Sequence, residues 1–148
     1  MDSNEKCEVF FDLLGNVAEF VCEGLKQDTS WLGNNVALGV RLKGKLIAGI
    51  IFNDIRIRRD VWLSIYSTDK KWCNRRVLRA IFYIAFNFLG CRRASVRVDA
   101  TNKKSRKLVK RLGFKQEGVL REFEDNGNDG LIYSMLKNEC QWRTKENE

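Results

Sequence analysis

Residues 102–121 read NKKSRKLVKRLGFKQEGVLR, and the order of residue types along them decides the fold. Asn102 can cap a helix, because its side-chain oxygen accepts a hydrogen bond from a backbone N–H one turn later. Ser105 then falls in the first turn. Leu108, Val109 and Leu112 form an apolar stripe, and the lysines and arginines between them face outward. Gly113 supplies the left-handed residue that ends such a helix, and Phe114 begins the next element. Alone, the segment equally describes a capped surface helix with a solvated basic face. The elements around it give it a second meaning.

Upstream, residues 94–98 alternate as a short strand with Val96 and Val98 on one face. Residues 74–89 place Val77, Leu78, Ile81, Ile84, Ala85, Phe88 and Leu89 at helical spacing, closed by Gly90. At about 1.5 Å per residue such a helix is roughly 24 Å long, enough to cross a sheet. Before it, residues 61–67 read as a strand with Trp62, Ser64 and Tyr66 opposite Val61, Leu63 and Ile65. Residues 36–42 and 45–52 flank Lys43-Gly44 as a β-hairpin, and Asn53-Asp54 reads as a turn. Residues 7–25 carry Val9, Phe10, Leu13, Leu14, Val17, Phe20 and Val21 at helical spacing, with a break near Gly15. Downstream, residues 114–123 form a strand, 125–130 a turn rich in Asn and Gly, and 131–136 a closing strand. The order predicts an α/β (α+β) domain with helices packed on a mixed sheet. No repeats appear, and the last few residues read as frayed.

A chain of 148 residues, 44% of them hydrophobic, fits one domain over 1–148 with a sizeable core. No run reaches the roughly 18 apolar residues of a membrane span. The acidic, polar start lacks the charged and apolar regions of a signal peptide. A cytoplasmic protein with no membrane partner is expected. Cys7, Cys22, Cys73, Cys91 and Cys140 are odd in number and contain no C-x-x-C pair, so they read as reduced, mostly buried thiols. The absence of histidine excludes Ser-His-Asp and Cys-His catalysis and the commonest zinc sites, and no metal is expected.

The net charge of +8 hides an asymmetry. Residues 41–121 carry 22 Lys and Arg against 5 Asp and Glu, a balance of +17, whereas residues 1–40 carry −5 and residues 122–148 carry −4. Such a block favours a polyanionic partner, either a nucleic-acid backbone or a phosphate-rich cofactor. The strand ending near Ser67, a polar turn and a long helix offer unpaired helix N–H groups to an anion, with Lys70, Lys71, Arg75 and Arg76 around that point.

In this order the chain resembles the GNAT superfamily of acyl-CoA N-acyltransferases, whose pattern is N-x-x-S, a short helix, L-G-F, then E-G and an arginine. Asn102, Ser105, residues 112–114, Glu117-Gly118 and Arg121 match it. The resemblance implies the GNAT fold, a mixed, mostly antiparallel sheet of six to seven strands flanked by helices. It also implies a pyrophosphate turn of the form Q/R-x-x-G-x-G/A, which aligns with Lys71, Trp72, Cys73, Asn74, Arg75 and Arg76. Both glycines are missing there. Asn74 can tolerate the left-handed backbone of the first, and Arg76 can contact a phosphate directly. The resemblance further implies that the backbone of Ile65, Tyr66 and Ser67 pairs with the pantetheine arm of acetyl-CoA, that Asn102 hydrogen-bonds the same arm, and that Ser105 lies near the sulfur and protonates the leaving thiolate.

Within the family the likeness is to the branch that acetylates N-termini of ribosomal proteins and to short acetyltransferases encoded by bacteriophages. In that branch the proposed base is a glutamate seven residues after the E-G glutamate, which is Glu124 here. A carboxylate suits that role independently, since an ammonium must lose a proton and the chain has no histidine. Glu122, Asp125 and Asp129 compete for it, Tyr66 and Tyr133 are alternative acids, and Glu117 with Arg121 reads as a structural ion pair.

The resulting expectation is an acetyl-CoA-dependent N-acetyltransferase acting by direct transfer to a primary amine, with a protein or peptide as the favoured acceptor. The alternative is a degenerate GNAT-fold binding module that contacts nucleic acid or an acidic protein through the basic centre. Nucleic acid is the less favoured partner, because no exposed aromatics interleave with the basic residues; Trp62, Trp72 and Phe82 read as core. Acceptor specificity falls to residues 7–30 and 125–130, and both a monomer and a homodimer are compatible with the sequence.

Overall fold

The computed structural model describes residues 6–143, so the frayed C-terminal end read from the sequence lies outside the described residues. Strand β2 (Asn35–Leu42) and strand β3 (Lys45–Arg56) form the expected hairpin. Its turn places Lys43 at φ 52 and Gly44 at φ 79, the pair of positive φ values that matches strand twist in a two-residue loop. Asn53-Asp54 is not the turn that its composition suggests. Instead β3 continues to Arg56 through an irregularity between Asn53 and Arg56, with Asp54 at φ 47. An aspartate accepts a left-handed backbone within a bulge, so the strand bends without ending. The reversal into β4 (Asp60–Ser67) falls at residues 57–59.

The N-terminal segment corrects another expectation. Residues 7–25 are not one broken helix but strand β1 (Glu8–Asp12) followed by helix α1 (Asn16–Leu25). The edge of β2 accepts Glu8–Asp12 as an antiparallel neighbour, and Val9, Phe10 and Phe11 suit a pleated surface. The break near Gly15 is present, with that residue at φ 87. Asp12 makes the change of element: its carboxylate accepts from the N–H of Leu14 at 3.2 Å and of Val17 at 2.8 Å. Helix α1 then lies close over the hairpin, where a Cβ on Gly49 would stand 2.6 Å from Val21 and one on Gly39 would stand 2.9 Å from Val17.

From β4 the chain passes through helix α2 (Arg75–Tyr83), β5 (Arg93–Asp99), helix α3 (Lys103–Leu112), β6 (Lys115–Leu120) and β7 (Gly130–Leu136). Helix α2 continues as a π turn over Ile84–Phe88, closed by the Leu89 N–H on the Ile84 carbonyl at 2.8 Å. The widened turn buries Ile84, Ala85 and Phe86 in succession. Strand β6 ends at Leu120, short of the strand expected over 114–123, and Glu122 takes φ 52 in the turn that follows. The seven strands order as β1-β2-β3-β4-β5-β7-β6, all antiparallel except β4 with β5. Right-handed connections from β4 to β5 and from β5 to β6 put α2 and α3 on one face. Their buried side chains, including Val77, Ile81, Phe82, Val109 and Leu112, share the main core with Val61, Leu63, Val96 and Tyr133. Helix α1 builds a smaller cluster on the other face with Ala37 and Ile51.

The parallel joint is short. It pairs Asp60 with Arg93, Val61 with Ala94, Trp62 with Ser95 and Leu63 with Val96, and goes no further. A partly buried polar network fastens its first end. Ser95 Oγ donates to Asp60 Oδ1 at 2.8 Å, Arg93 Nε donates to Ser95 Oγ at 3.2 Å, and Arg93 Nη2 reaches Glu117 Oε2 at 3.2 Å. Ser134 Oγ donates to the other oxygen of Glu117. Ser95→Ala removes the hydroxyl that links β5 to β4 and should cost about 1–3 kcal/mol in urea unfolding. A midpoint equal to wild type would show that the network does not hold the joint.

Candidate active site

Past Leu63 and Val96 the two strands separate. Strand β4 stays with β3 as far as the Ala48–Ser67 pair, and β5 stays with β7 as far as Asp99–Gly130. Residues 64–67 therefore turn alternate backbone N–H and C=O groups into an opening where no strand partner lies among the described residues. Ile65, Tyr66 and Ser67 line it from β4. Tyr66 is half-buried, with its ring edge-on to Phe20 at 5.4 Å.

One wall of the opening leads to the start of α2. Asp69 caps a short 3-10 turn, Lys70–Trp72, by accepting from the Lys71 N–H at 2.9 Å. Asn74 caps α2, accepting from the Val77 N–H at 3.1 Å. Its backbone, at φ −123 and ψ 165, is extended, so the left-handed conformation expected for a glycine substitute is not what Asn74 adopts. Capping needs an extended residue, and that requirement replaces the glycine turn. The N–H groups of Arg75 and Arg76 head the helix, and both side chains are exposed. Trp72 is buried in the core, and its N–H and C=O are bonded to Asp69 and Asn74. Its neighbours therefore have more to offer a ligand than it does. The structure adds a cation that the sequence did not assign: Arg111, from the far end of α3, reaches the Cys73 thiol. Burial pushes that thiol up, while Arg111 pulls it down by charge and hydrogen bond.

The other helix begins at Asn102, whose Oδ1 accepts from the Ser105 N–H at 3.1 Å. Its Nδ2 remains available as a donor. Ser105 is half-buried, and its hydroxyl has no partner among the described residues.

On the α1 face, Arg97 is the first residue of β5 beyond the last pair with β4. Its Nε donates to Glu124 Oε1 at 3.0 Å, and its guanidinium lies over the Phe123 ring at 4.8 Å. The Glu124 side chain is only 11% exposed, and Oε2 has no protein partner among the described residues. Gly130 leaves room for the pair, since a Cβ there would stand 3.0 Å from Glu124 Oε1. Among the competitors, Glu122 and Asp125 are exposed, and Asp129 Oδ1 accepts from the Glu122 N–H at 2.9 Å. Tyr133 lies in the core with its hydroxyl unpartnered among the described residues. Glu117 pairs with Arg93 rather than Arg121, because the irregularity between Gln116 and Gly118 makes it the extra residue of β6.

Asp99, at the end of β5, holds the loop that carries Glu124. Asn126 Nδ2 donates to it at 3.0 Å, the Thr101 N–H and hydroxyl at 2.9 and 2.7 Å, and Asn128 Nδ2 at 3.3 Å. Asn126, then Thr101, keep its carboxyl at about 2 against the opposing effect of burial, with Asn128 assisting. Arg97 and Asp99 escaped the sequence reading. The only hint was the run of Asn in 125–130, and no spacing rule supplies the partner of Asn126 27 residues upstream.

No group of three or more metal-ligating side chains occurs among the described residues, and no helix there is long and apolar enough to cross a membrane. No protein-family model matches the sequence, and no curated protein matches it. Solved structures do. A crystal structure of a "probable acetyltransferase" matches with 26% identity over 72% of this chain and a TM-score of 0.62. A protein of similarly provisional assignment from T. thermophilus matches with 23% identity over 72% and the same TM-score. The chain spans 64% and 61% of the lengths of these two proteins. Spermidine N-acetyltransferase from Vibrio cholerae, in complex with CoA and spermine, matches with 14% identity over 90% of this chain and 96% of its own, with a TM-score of 0.71. The fold is that of GNAT acetyltransferases.

Asp99 gives a pH signature. A carboxyl held at about 2 adds stability above its unfolded value of about 4 and loses it as pH falls toward 2. Asp99→Asn should therefore be less stable than wild type at neutral pH, and the gap should close between about pH 4 and pH 2. Denaturant unfolding across that range checks it, and a gap independent of pH would count against this role for Asp99.

Proposed function

We propose that this chain is an acetyl-CoA-dependent N-acetyltransferase that passes an acetyl group directly to a primary amine. The observation that carries the reading is the opening between β4 and β5, with two capped helix starts on one side and a held carboxylate on the other. The free backbone groups of residues 64–67 suit the amides of a pantetheine arm, and the Asn102 amide adds a donor. The N–H groups of Arg75 and Arg76, with the side chains of Lys71, Arg75, Arg76 and Arg111, suit the phosphates. When bound, acetyl-CoA supplies a thioester.

Glu124 Oε2 takes the proton of the acceptor ammonium, directly or through one water, while Arg97 fixes Oε1. The neutral nitrogen attacks the acyl carbon, and a C–N bond forms as the C–S bond breaks. Ser105 gives its hydroxyl proton to the departing sulfur while taking up the second proton that the nitrogen loses on becoming an amide. Holding both reactants at the opening supplies much of the acceleration.

A protein or peptide amine is the acceptor favoured by the sequence, as in the ribosomal-protein branch to which the seven-residue spacing from Glu117 to Glu124 points. A polyamine is the second reading. It is supported by the fold likeness to the spermidine enzyme and by the exposed acids Glu19, Glu23, Glu122 and Asp125 near the α1 face. Action in the cytoplasm as a monomer or homodimer accords with both.

Purified protein should bind acetyl-CoA in calorimetry and release free thiol when given an amine panel of basic peptides and spermidine. Absence of both would overturn the reading. Glu124→Gln should lower kcat at least about tenfold while acetyl-CoA affinity stays within about twofold. A variant that instead lost acetyl-CoA binding would show Glu124 to be a structural residue.

A further inference from the structure

The outer faces of α2 and α3 hold more cation than an acyl donor can use. From residue 70 to residue 116 the sole acid is Asp99, and it is committed to Asn126, Thr101 and Asn128. Helix α3 carries six cations and no acid. The acid-paired cations Arg41, Arg93, Arg97 and Lys115 all lie outside both helices. The phosphates of acetyl-CoA would be met at the start of α2, which leaves Arg79, Lys107 and Lys110 exposed with no role in that site.

The arrangement of these residues narrows the partner. Lys103, Lys107 and Lys110 follow at i, i+4 and i+7, a stripe about 10 Å long on the solvent side of α3, opposite the buried Val109 and Leu112. On α2, Tyr83 follows Arg79 by one turn and is 50% exposed. No exposed aromatic is legible among the basic residues from the sequence, and in the fold Tyr83 supplies one. A lysine-dominated face fits an acidic protein poorly, because interface cores are depleted in lysine. A membrane is disfavoured too, since the exposed Leu13 and Leu14 lie at the β1–α1 turn, away from these cations, and the exposed Phe88 at the end of the π turn is a single apolar side chain rather than a patch. Phosphates spaced along a strand, with a base stacked on a tyrosine, suit what is present.

We propose that the outer faces of α2 and α3 form a second binding surface, separate from the acyl-transfer opening, for the backbone of single-stranded nucleic acid. Arg79, Lys107 and Lys110 meet phosphates, and Tyr83 stacks under a base. Recognition is independent of sequence, because no side chain here is placed to read base edges.

Fluorescence anisotropy with a labelled mixed-sequence oligonucleotide of about 20 nucleotides, in the presence of saturating acetyl-CoA, tests this. Affinity should fall linearly with salt on logarithmic axes, by about 0.7 per phosphate contacted. The triple variant R79Q/K107Q/K110Q should bind at least about tenfold more weakly with a slope shallower by about 2, while its acetyl-CoA affinity, which also reports folding, stays at the wild-type value. Tyr83→Ala should weaken the single strand and leave duplex binding unchanged. Displacement of the oligonucleotide by acetyl-CoA would overturn the proposal by showing that it occupies the donor site. Absence of binding, wild-type affinity in the triple variant, or tighter binding to phosphatidylglycerol vesicles than to the oligonucleotide would overturn it as well.

Discussion

The four-residue parallel joint between β4 and β5 is the constraint on which the other features depend. It is the one place where two antiparallel blocks meet, β1 to β4 on one side and β5, β7 and β6 on the other. Each block is satisfied by its own hydrogen bonds, so the joint can be short without unravelling either. Asp60, Arg93, Ser95, Glu117 and Ser134 fasten one end. The other end opens, and both strands deliver the chain there into a helix. An aperture in the sheet and two helix starts beside it thus arise from one topological fact.

Charge is divided by the same geometry. Half of the cations of the basic block fall on α2, α3 and the turn before α2, and those two helices share one face because they follow consecutive strands through connections of one hand. The acidic flanks become α1 and the loop before β7, which share the opposite face or its rim. A phosphate-bearing molecule and a cationic amine would therefore approach the opening from opposite sides. The Arg97–Glu124 pair lies at the boundary, where a β5 cation from the basic block meets an acid from the C-terminal flank.

Local signals carried a large share of the fold. The Asn102 cap, the Gly113 stop, the Lys43-Gly44 turn and the helical period after Asn74 each depend on residues within one or two turns of each other, and each is present. The misreadings occurred where distant partners override local pattern. Val9 and Phe10 have helical spacing relative to Val17 and Val21, but the free edge of β2 draws them into a strand. Asn53-Asp54 has turn chemistry, yet β4 holds both sides of it in the sheet as a bulge. Asn74 tolerates the left-handed region, but the unpaired N–H groups of α2 recruit it as a cap.

The sequence by itself determined most of the element types, their order, the two helix caps and the concentration of positive charge, because propensity, capping and turn geometry act over a few residues. Only the tertiary structure decided the limits of the β4–β5 joint, the pairing of Glu117 with Arg93 instead of Arg121, the anchoring of the last loop by Asp99, and the meeting of Arg97 with Glu124. Those contacts link residues 24 to 35 positions apart, through register and a bulge. Register is fixed when a whole sheet settles, and no local stretch of chain contains it.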